Sequence, residues 1–246
     1  MSVLRSVLFS TPLIALATVV MGTFSMIASL FDGTGKSQHW LARVWGRMLL
    51  AVSFIRVRGE GLEKLDPNGS YVFVANHGSY MDIPAMLTVL PQQFRFFAKH
   101  SLYRIPFMGT HLKRAGHLPV DRTNIRASLK SMSEGAQIVK ERGISVLLFP
   151  EGGRSLEGLH EFKEGAAYIA IKAGVPVVPI ALVGMRDLLP MGSGHLRSGE
   201  AVLRIGDPIP TAGMKISDRG ELNRRLYSEV ARMLGMPDVA LTRDGV

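Results

Sequence analysis

The sequence predicts an α/β protein, with a mixed, largely parallel sheet flanked by helices and N-terminal membrane-associated helices before it. Three observations carry this expectation. Short strands that are apolar throughout alternate with helical stretches, the pattern of a sheet buried on both faces. The first 55 residues hold a long uncharged run and then an amphipathic stretch. No repeat and no low-complexity linker divides the remainder of the chain. Residues 1–55 therefore read as anchoring helices, 56–236 as one domain and 237–246 as a frayed tail.

The uncharged run extends from Ser6 to Phe31, and roughly 20 apolar residues are enough to cross a bilayer. It is long for a signal peptide, and residues 22–30 show no small-x-small cleavage pattern. Next, Ser37–Ile55 places Trp40, Leu41, Val44, Trp45, Met48, Leu49 and Val52 at helical spacing, with Arg43 and Arg47 on another side. Such a helix suits the headgroup boundary, or it packs its apolar face on its own core. Only Arg5 precedes the run, whereas Lys36, Arg43, Arg47, Arg56 and Arg58 come after it. That imbalance predicts a domain on the cytoplasmic face of the cell (inner) membrane, whether the run crosses or only dips into one leaflet. Pro12 and Gly22 are bend points for a dipping helix.

Beyond residue 56 the elements come in order. Tyr71–Ala75 reads as a strand, and residues 83–90 as a helix opened at Asp82–Pro84. Phe94–Ala98 is a short strand. Ile125–Arg142 carries Ile125, Leu129, Met132, Ala136 and Val139 at helical spacing, with Gly143 as its stop. Ile144–Phe149 is a continuous apolar strand, and Glu164–Ala173 a helix ended by Gly174. Val175–Val183 and Ala201–Ile205 are later strands. Leu222–Leu234 closes the series with Leu222, Leu226, Val230 and Leu234 on one face.

The formal charge of +9 calls for an anionic partner. No nucleic-acid fingerprint is present, and aromatic residues do not interleave with basic ones, which leaves an anionic membrane or a phosphate-bearing substrate. The chain has no cysteine, so disulfides, thiolate zinc sites and a cysteine nucleophile are excluded.

Both short stretches that carry chemistry begin where a strand ends, the usual place for sites in such folds. The first is NHGSYMD, residues 76–82. Five positions on one regular helix differ by about 140°, so His77 and Asp82 do not pair that way. They pair if His77 sits in the strand-to-helix turn and Asp82 in the first helical turn, where Pro84 is tolerated. A histidine held by a carboxylate is a general base near neutral pH. The alternative is that Asp82 caps a helix and His77 fills a turn. Ser79 reads more simply as a cap or turn residue than as a nucleophile. A metal would need a third ligand, and His100, His111, His117, His160 and His195 show no ligand spacing.

The second stretch is FPEGGRS, Phe149–Ser155. Gly152 and Gly153 let backbone amides approach a ligand, Arg154 offers a forked cation for phosphate, and Glu151 offers an acceptor for a substrate hydroxyl. Taken alone it also fits an ordinary turn, and it is not a P-loop, because GxxxxGK[ST] is absent. GHLPVDR, Gly116–Arg122, ends in a cation before the long helix, and Lys99 comes directly after FRFFA. Either is a phosphate contact or a solvated charge.

Together these pieces resemble the 1-acylglycerol-3-phosphate acyltransferases, also called lysophosphatidic acid acyltransferases. That family carries four blocks in fixed order. NHxSxxD is matched by Asn76, His77, Ser79 and Asp82, and the DR pair by Asp121 and Arg122. FPEGTRS is matched from Phe149 to Ser155, with Gly153 in place of threonine. The VPxxPV-like strand is matched by Val175, Pro176 and Pro179. Pro119 stands where the family has an aromatic residue. The resemblance covers residues 57–210 and extends to the hydrophobic N-terminal helices. It implies a glycerolphosphate acyltransferase-like fold, and His77 as the base for the acceptor's free hydroxyl with Asp82 orienting it. It gives Glu151 and Gly152 to the acceptor glycerol, and Arg122, Arg154 and Lys99 to its phosphate. Acyl-CoA or acyl carrier protein would be the donor, with no metal and no resident cofactor. The basic charge would then serve lysophosphatidic acid, the donor and anionic membrane lipids, and no nucleic acid. Another lysolipid acceptor, a lysophospholipid or a lyso-ornithine lipid, keeps the same pair of residues, and a non-catalytic membrane-binding protein is the remaining alternative.

Overall fold

The computed structural model describes residues 2–105, 108–121, 124–154 and 158–236. Arg122, Ser155 and the tail 237–246 lie outside the described residues. In chain order the elements are α1 (Val3–Ala28), α2 (Lys36–Val52), β1 (Ile55–Glu60), β2 (Val72–Ala75) and α3 (Asp82–Val89). Then come β3 (Phe94–Lys99), α4 (Met108–Arg114), β4 (Leu118–Val120), α5 (Ile125–Arg142), β5 (Ser145–Leu148) and α6 (Gly165–Ala173). The last described elements are β6 (Val177–Val183), α7 (Met185–Leu188), β7 (Gly199–Ile205) and α8 (Arg219–Met233).

Among the described residues, seven strands form one sheet in the order β1-β7-β6-β2-β5-β3-β4. The five from β6 to β4 run parallel, β7 runs against β6, and β1 runs with β7. The mixed, largely parallel sheet is thus present as the sequence predicts. Successive residues of a strand face opposite ways, and the two cores separate accordingly. Phe73, Ala75, Leu147 and Ile180 face α3 and α2, whereas Val72, Val74, Val146 and Ala181 face α5, α6 and α8. The register fixes what shares an edge. Val183 at the end of β6 pairs with Val202, and Ile55 pairs with Gly199. The first residues of β1 and β7 therefore sit on the same edge as the C-terminal ends of the other strands.

Helices α5 and α6 stop at the two glycines that the sequence marks, and α5 starts on a capping asparagine. Asn124 caps α5 by accepting from the Ala127 amide at 3.0 Å, and Gly143 and Gly174 end α5 and α6 in the left-handed conformation. Four elements are not visible in the periodicity: β1, β4, α4 and α7. The helix expected over Ser37–Ile55 stops at Val52, because Phe54 takes a left-handed φ of 58 and Ile55 already pairs in the sheet.

The face that α2 buries also differs from the apolar stripe. Gln38, His39, Gly46, Leu49 and Leu50 are buried, while Trp40 and Met48 lie on the exposed side. The reason is close packing: a Cβ on Gly46 would lie 3.0 Å from the Pro84 carbonyl oxygen, so glycine lets α2 press directly on α3. Arg43 then donates to the carbonyls of Leu90, Pro91 and Gln92, which the end of α3 leaves without helical partners.

Helix α1 is continuous over 26 residues and contains an 18-residue stretch with a mean hydropathy of 1.9, and a π-helical turn at Ser6–Ser10 precedes Pro12. Its length of about 39 Å runs along the domain instead of leaving it. The Ser6 hydroxyl accepts from the Leu196 amide at 3.0 Å and Ser10 donates to the Val52 carbonyl at 2.8 Å. Further along, Trp45 donates to Thr18 at 3.0 Å and Ser25 meets His111 at 2.8 Å. The opposite face, with Leu8, Leu16, Val19, Phe24 and Ile27, is exposed.

Two buried histidines, His39 and His117, and the half-buried His111 sit at the joint between these helices and the sheet. His117 accepts from the Phe96 amide at 3.2 Å, which requires an unprotonated ring nitrogen. Burial pushes His39 down to about 3, with Arg43 and Arg95 adding to the effect. Burial also lowers His111 and, still further, His117 beside Arg95. The unfolded chain therefore binds more protons than the folded one below the ordinary histidine value of 6.5. The stability these neutral rings contribute is complete above that value and declines as pH falls through the window toward 3. Thermal midpoints of the full chain in detergent should fall from pH 7 to pH 5, and less steeply in His39→Gln. A midpoint that rises on acidification would contradict this.

Candidate active site

Strand β2 ends at Ala75, and Asn76 carries its pairing one step further with a side chain. The Asn76 amide donates to the Leu182 carbonyl at 3.2 Å and accepts from the Leu182 amide at 2.7 Å. That double contact pins the chain to β6 just where it turns toward α3.

The turn then closes on a single carboxylate oxygen. Asp82 Oδ2 receives His77 Nδ1 at 2.7 Å, the Gly78 amide at 2.9 Å and the Ser79 amide at 2.8 Å. Asp82 is the first residue of α3 and is 1 % exposed, so its negative charge lies at the positive end of the helix. A carboxylate only accepts, so the proton of a neutral imidazole must sit on Nδ1 and the lone pair on Nε2. Phe149, one residue past β5, stacks on the ring at 4.0 Å between centroids and 17° between planes. The ring is thereby held in orientation and plane with a tenth of the side chain accessible.

The second turn is joined to the first through Glu151. Its Oε1 accepts from the His77 amide at 2.6 Å and its Oε2 from the His160 amide at 3.0 Å. Burial pushes this carboxyl up, and the two backbone contacts offset part of the rise. Glu151, expected from the sequence to meet a substrate hydroxyl, also ties the β2 and β5 turns together. Gly152 has φ +75, a left-handed conformation that favours glycine, and a Cβ there would lie 3.1 Å from the Lys163 ammonium.

The remaining candidate residues are spread along the same edge. The Arg154 guanidinium lies 4.1 Å over the Tyr80 ring, and its Nε donates to the Ser79 carbonyl at 3.3 Å. It therefore sits beside the histidine turn. Lys99 is exposed at the end of β3, two strands from β2 and so about 10 Å along the same edge by sheet spacing. The Ser79 hydroxyl is fully buried, accepts from the Met81 amide at 3.2 Å and donates to the Leu189 carbonyl at 3.4 Å. It closes the turn by accepting from the amide two residues on, and makes no side-chain cap on α3. Contacts that sequence reasoning misses are the Asn76 bridge, the Phe149 stack and Arg186, whose Nη2 donates to the Gly158 carbonyl at 2.7 Å. Asn76 and Phe149 lie inside the two motifs, so a signal is present; their roles depend on β6 and β5 lying on either side of β2. Nothing local marks Arg186.

A histidine–carboxylate pair thus sits at the sheet edge beside a glycine turn and the Arg154 guanidinium, an arrangement with the chemistry of a general base next to a cation. The chain belongs to the acyltransferase family, whose model matches residues 56–183. It is 37% identical over 195 residues to the 1-acyl-sn-glycerol-3-phosphate acyltransferase BAT2, chloroplastic, of Brassica napus, covering 78% of this chain and 56% of that one. It is 34% identical over 175 residues to the 1-acyl-sn-glycerol-3-phosphate acyltransferase alpha of Homo sapiens, covering 70% and 62%. The chain thus spans between about half and two thirds of the length of these curated relatives. The crystal structure of the 1-acyl-sn-glycerophosphate (LPA) acyltransferase PlsC from Thermotoga maritima superposes with a TM-score of 0.79 at 27% identity, covering 96% of this chain and 97% of that one.

Asp82→Ala would leave three buried donors without an acceptor. Each buried unsatisfied group costs about 1–3 kcal/mol, so a loss of roughly 3 kcal/mol or more is expected in urea unfolding. A loss under about 1 kcal/mol would show that the turn is held by something else.

Proposed function

We propose that the protein transfers a fatty acyl chain from a thioester donor, acyl-CoA or acyl carrier protein, to the free hydroxyl of 1-acyl-glycerol-3-phosphate, giving phosphatidic acid. The observation that carries this reading is the 2.7 Å contact between His77 Nδ1 and Asp82. The names of the relatives support the acceptor. In this reading Nε2 takes the proton of the acceptor hydroxyl while the oxygen forms a bond to the thioester carbonyl carbon. The carbon–sulfur bond of the tetrahedral intermediate breaks, and the imidazolium returns its proton to the leaving thiolate. Asp82 stabilises the imidazolium between these steps. Transfer is direct, because the Ser79 hydroxyl is buried and bonded on both sides. Lys99, Arg122 and Arg154 serve the acceptor phosphate as forked or point cations.

The exposed apolar face of α1 supports a seat in the membrane. Because contacts from Ser6 to Ser25 keep the helix along the domain, we read it as lying within one leaflet, with the domain at the cytoplasmic surface of the cell membrane. The exposed Trp40, Met48 and Phe54 extend the same apolar surface.

Thiol release from a defined acyl-CoA should depend on added 1-acyl-glycerol-3-phosphate, and His77→Ala should reduce it by about 10²–10⁴-fold. Turnover that persists in this variant, or that never needs the acceptor, would overturn the reading. Leu16→Asp combined with Phe24→Asp should weaken sedimentation with anionic vesicles while leaving the circular dichroism unchanged. Undiminished sedimentation would contradict the in-leaflet seat.

A further inference from the structure

Lys99, assigned to the acceptor phosphate, lies on the β5/β3 side of the histidine. The other side of the same edge is also basic, and neither the acceptor nor the proton transfer uses it. Strand β6 is next to β2, followed by β7 and β1, and the first residues of β7 and β1 share the edge with His77. Arg186 on α7 lies against the histidine turn: a Cβ on Gly78 would be 3.0 Å from its Nε. One of its nitrogens holds the Gly158 carbonyl, and the rest of the fork is uncommitted among the described residues. The Arg197 amide donates to the Leu188 carbonyl at 2.7 Å, so the loop before β7 folds back onto α7 and brings this exposed arginine beside the edge. Arg56, second in β1, meets Glu200 only at 3.9 Å with both side chains mostly exposed. That loose pair is the one ion pair made by these three arginines among the described residues.

The spacing selects a ligand. By sheet spacing, β7 and β1 lie about 10 and 14 Å from β2. A group bound there while its reacting end meets His77 must be anionic and carried on an arm of that length. Both thioester donors share such a group. The phosphopantetheine arm places its phosphate about 15 Å from the sulfur when extended, by ordinary bond lengths. The acceptor's phosphate is on the carbon next to the one bearing the reacting hydroxyl, so it stays near the histidine turn, where Arg154 lies and the long Lys99 side chain can reach back, and does not extend to β1 at about 14 Å. We propose that Arg56, Arg186 and Arg197 form the donor site, with Arg186 along the arm near the thioester and Arg197 and Arg56 at its phosphate. The two anionic substrates would then approach the imidazole from opposite sides of β2. The proposal rests on the acyltransferase reading.

The test is steady-state kinetics of wild type and the Arg56→Gln/Arg186→Gln/Arg197→Gln triple variant, with folding checked by thermal midpoint. Donors are acyl-CoA, acyl carrier protein, acyl-phosphopantetheine and the acyl thioester of N-acetylcysteamine, which lacks the phosphate. The variant should raise KM about tenfold or more for each of the three phosphate-bearing donors, and by no more than about twofold for the N-acetylcysteamine thioester. The KM for 1-acyl-glycerol-3-phosphate should stay within about twofold of wild type. The lower wild-type KM tells whether coenzyme A or the carrier protein is the better source of the arm. A rise in acceptor KM instead, equal losses on all four donors, an effect confined to acyl-CoA, or no change would each overturn the assignment. A wild-type chain that transfers from none of the donors would sink the acyltransferase reading itself.

Discussion

One buried carboxylate oxygen organises the site. Asp82 Oδ2 gathers the His77 ring and the amides of Gly78 and Ser79, so the geometry of the turn and the tautomer of the imidazole have the same cause. Everything around it preserves that point. Asn76 fixes where the turn leaves β2, Glu151 ties it to the neighbouring turn, and Phe149 sets the plane of the ring. The helix that begins with Asp82 is held at its other end by Arg43 of α2 and in the middle by the close approach of Gly46. The helices carrying the apolar outer face therefore also brace the element that presents the carboxylate. The apolar face and the geometry of the histidine are linked through one packed contact.

Much of this is legible in the sequence. The apolar strands of the centre, the stops at Gly143 and Gly174, and the placement of His77 in a turn and Asp82 in a first helical turn all arise from local chemistry. The parts that are not legible have a common physical reason. Strand β1, IRVRGE, alternates charge with small or apolar residues and gains its pairing only from β7, far along the chain. β4 is three residues long and includes a proline. The buried side of α2 contains Gln38, His39 and Gly46, which no hydrophobicity pattern would choose; it is set by the space available against α3. Glu151 shows the same limit within the site. Its chemistry permits a substrate contact, and only the register of β2 against β5 reveals that two backbone amides meet it.

The distribution of charge has its origin in the same topology. Five parallel strands and two reversed ones bring cations from β1, α7, β3 and the β5 turn to one edge, although they are dispersed along the chain. The imidazole lies near the middle of that edge, with cations on both sides of it. The net charge of +9 is in this sense partly a property of one rim of the sheet.

The chemistry of the site depends on where one proton sits. Nitrogen-15 spectra of histidine-labelled protein, with the His77 signal assigned by comparison with His77→Gln, report the two ring nitrogens separately. At neutral pH the account requires a protonated Nδ1 and a bare Nε2. A ring that carries its proton on Nε2 would have no base to offer a hydroxyl and would contradict it.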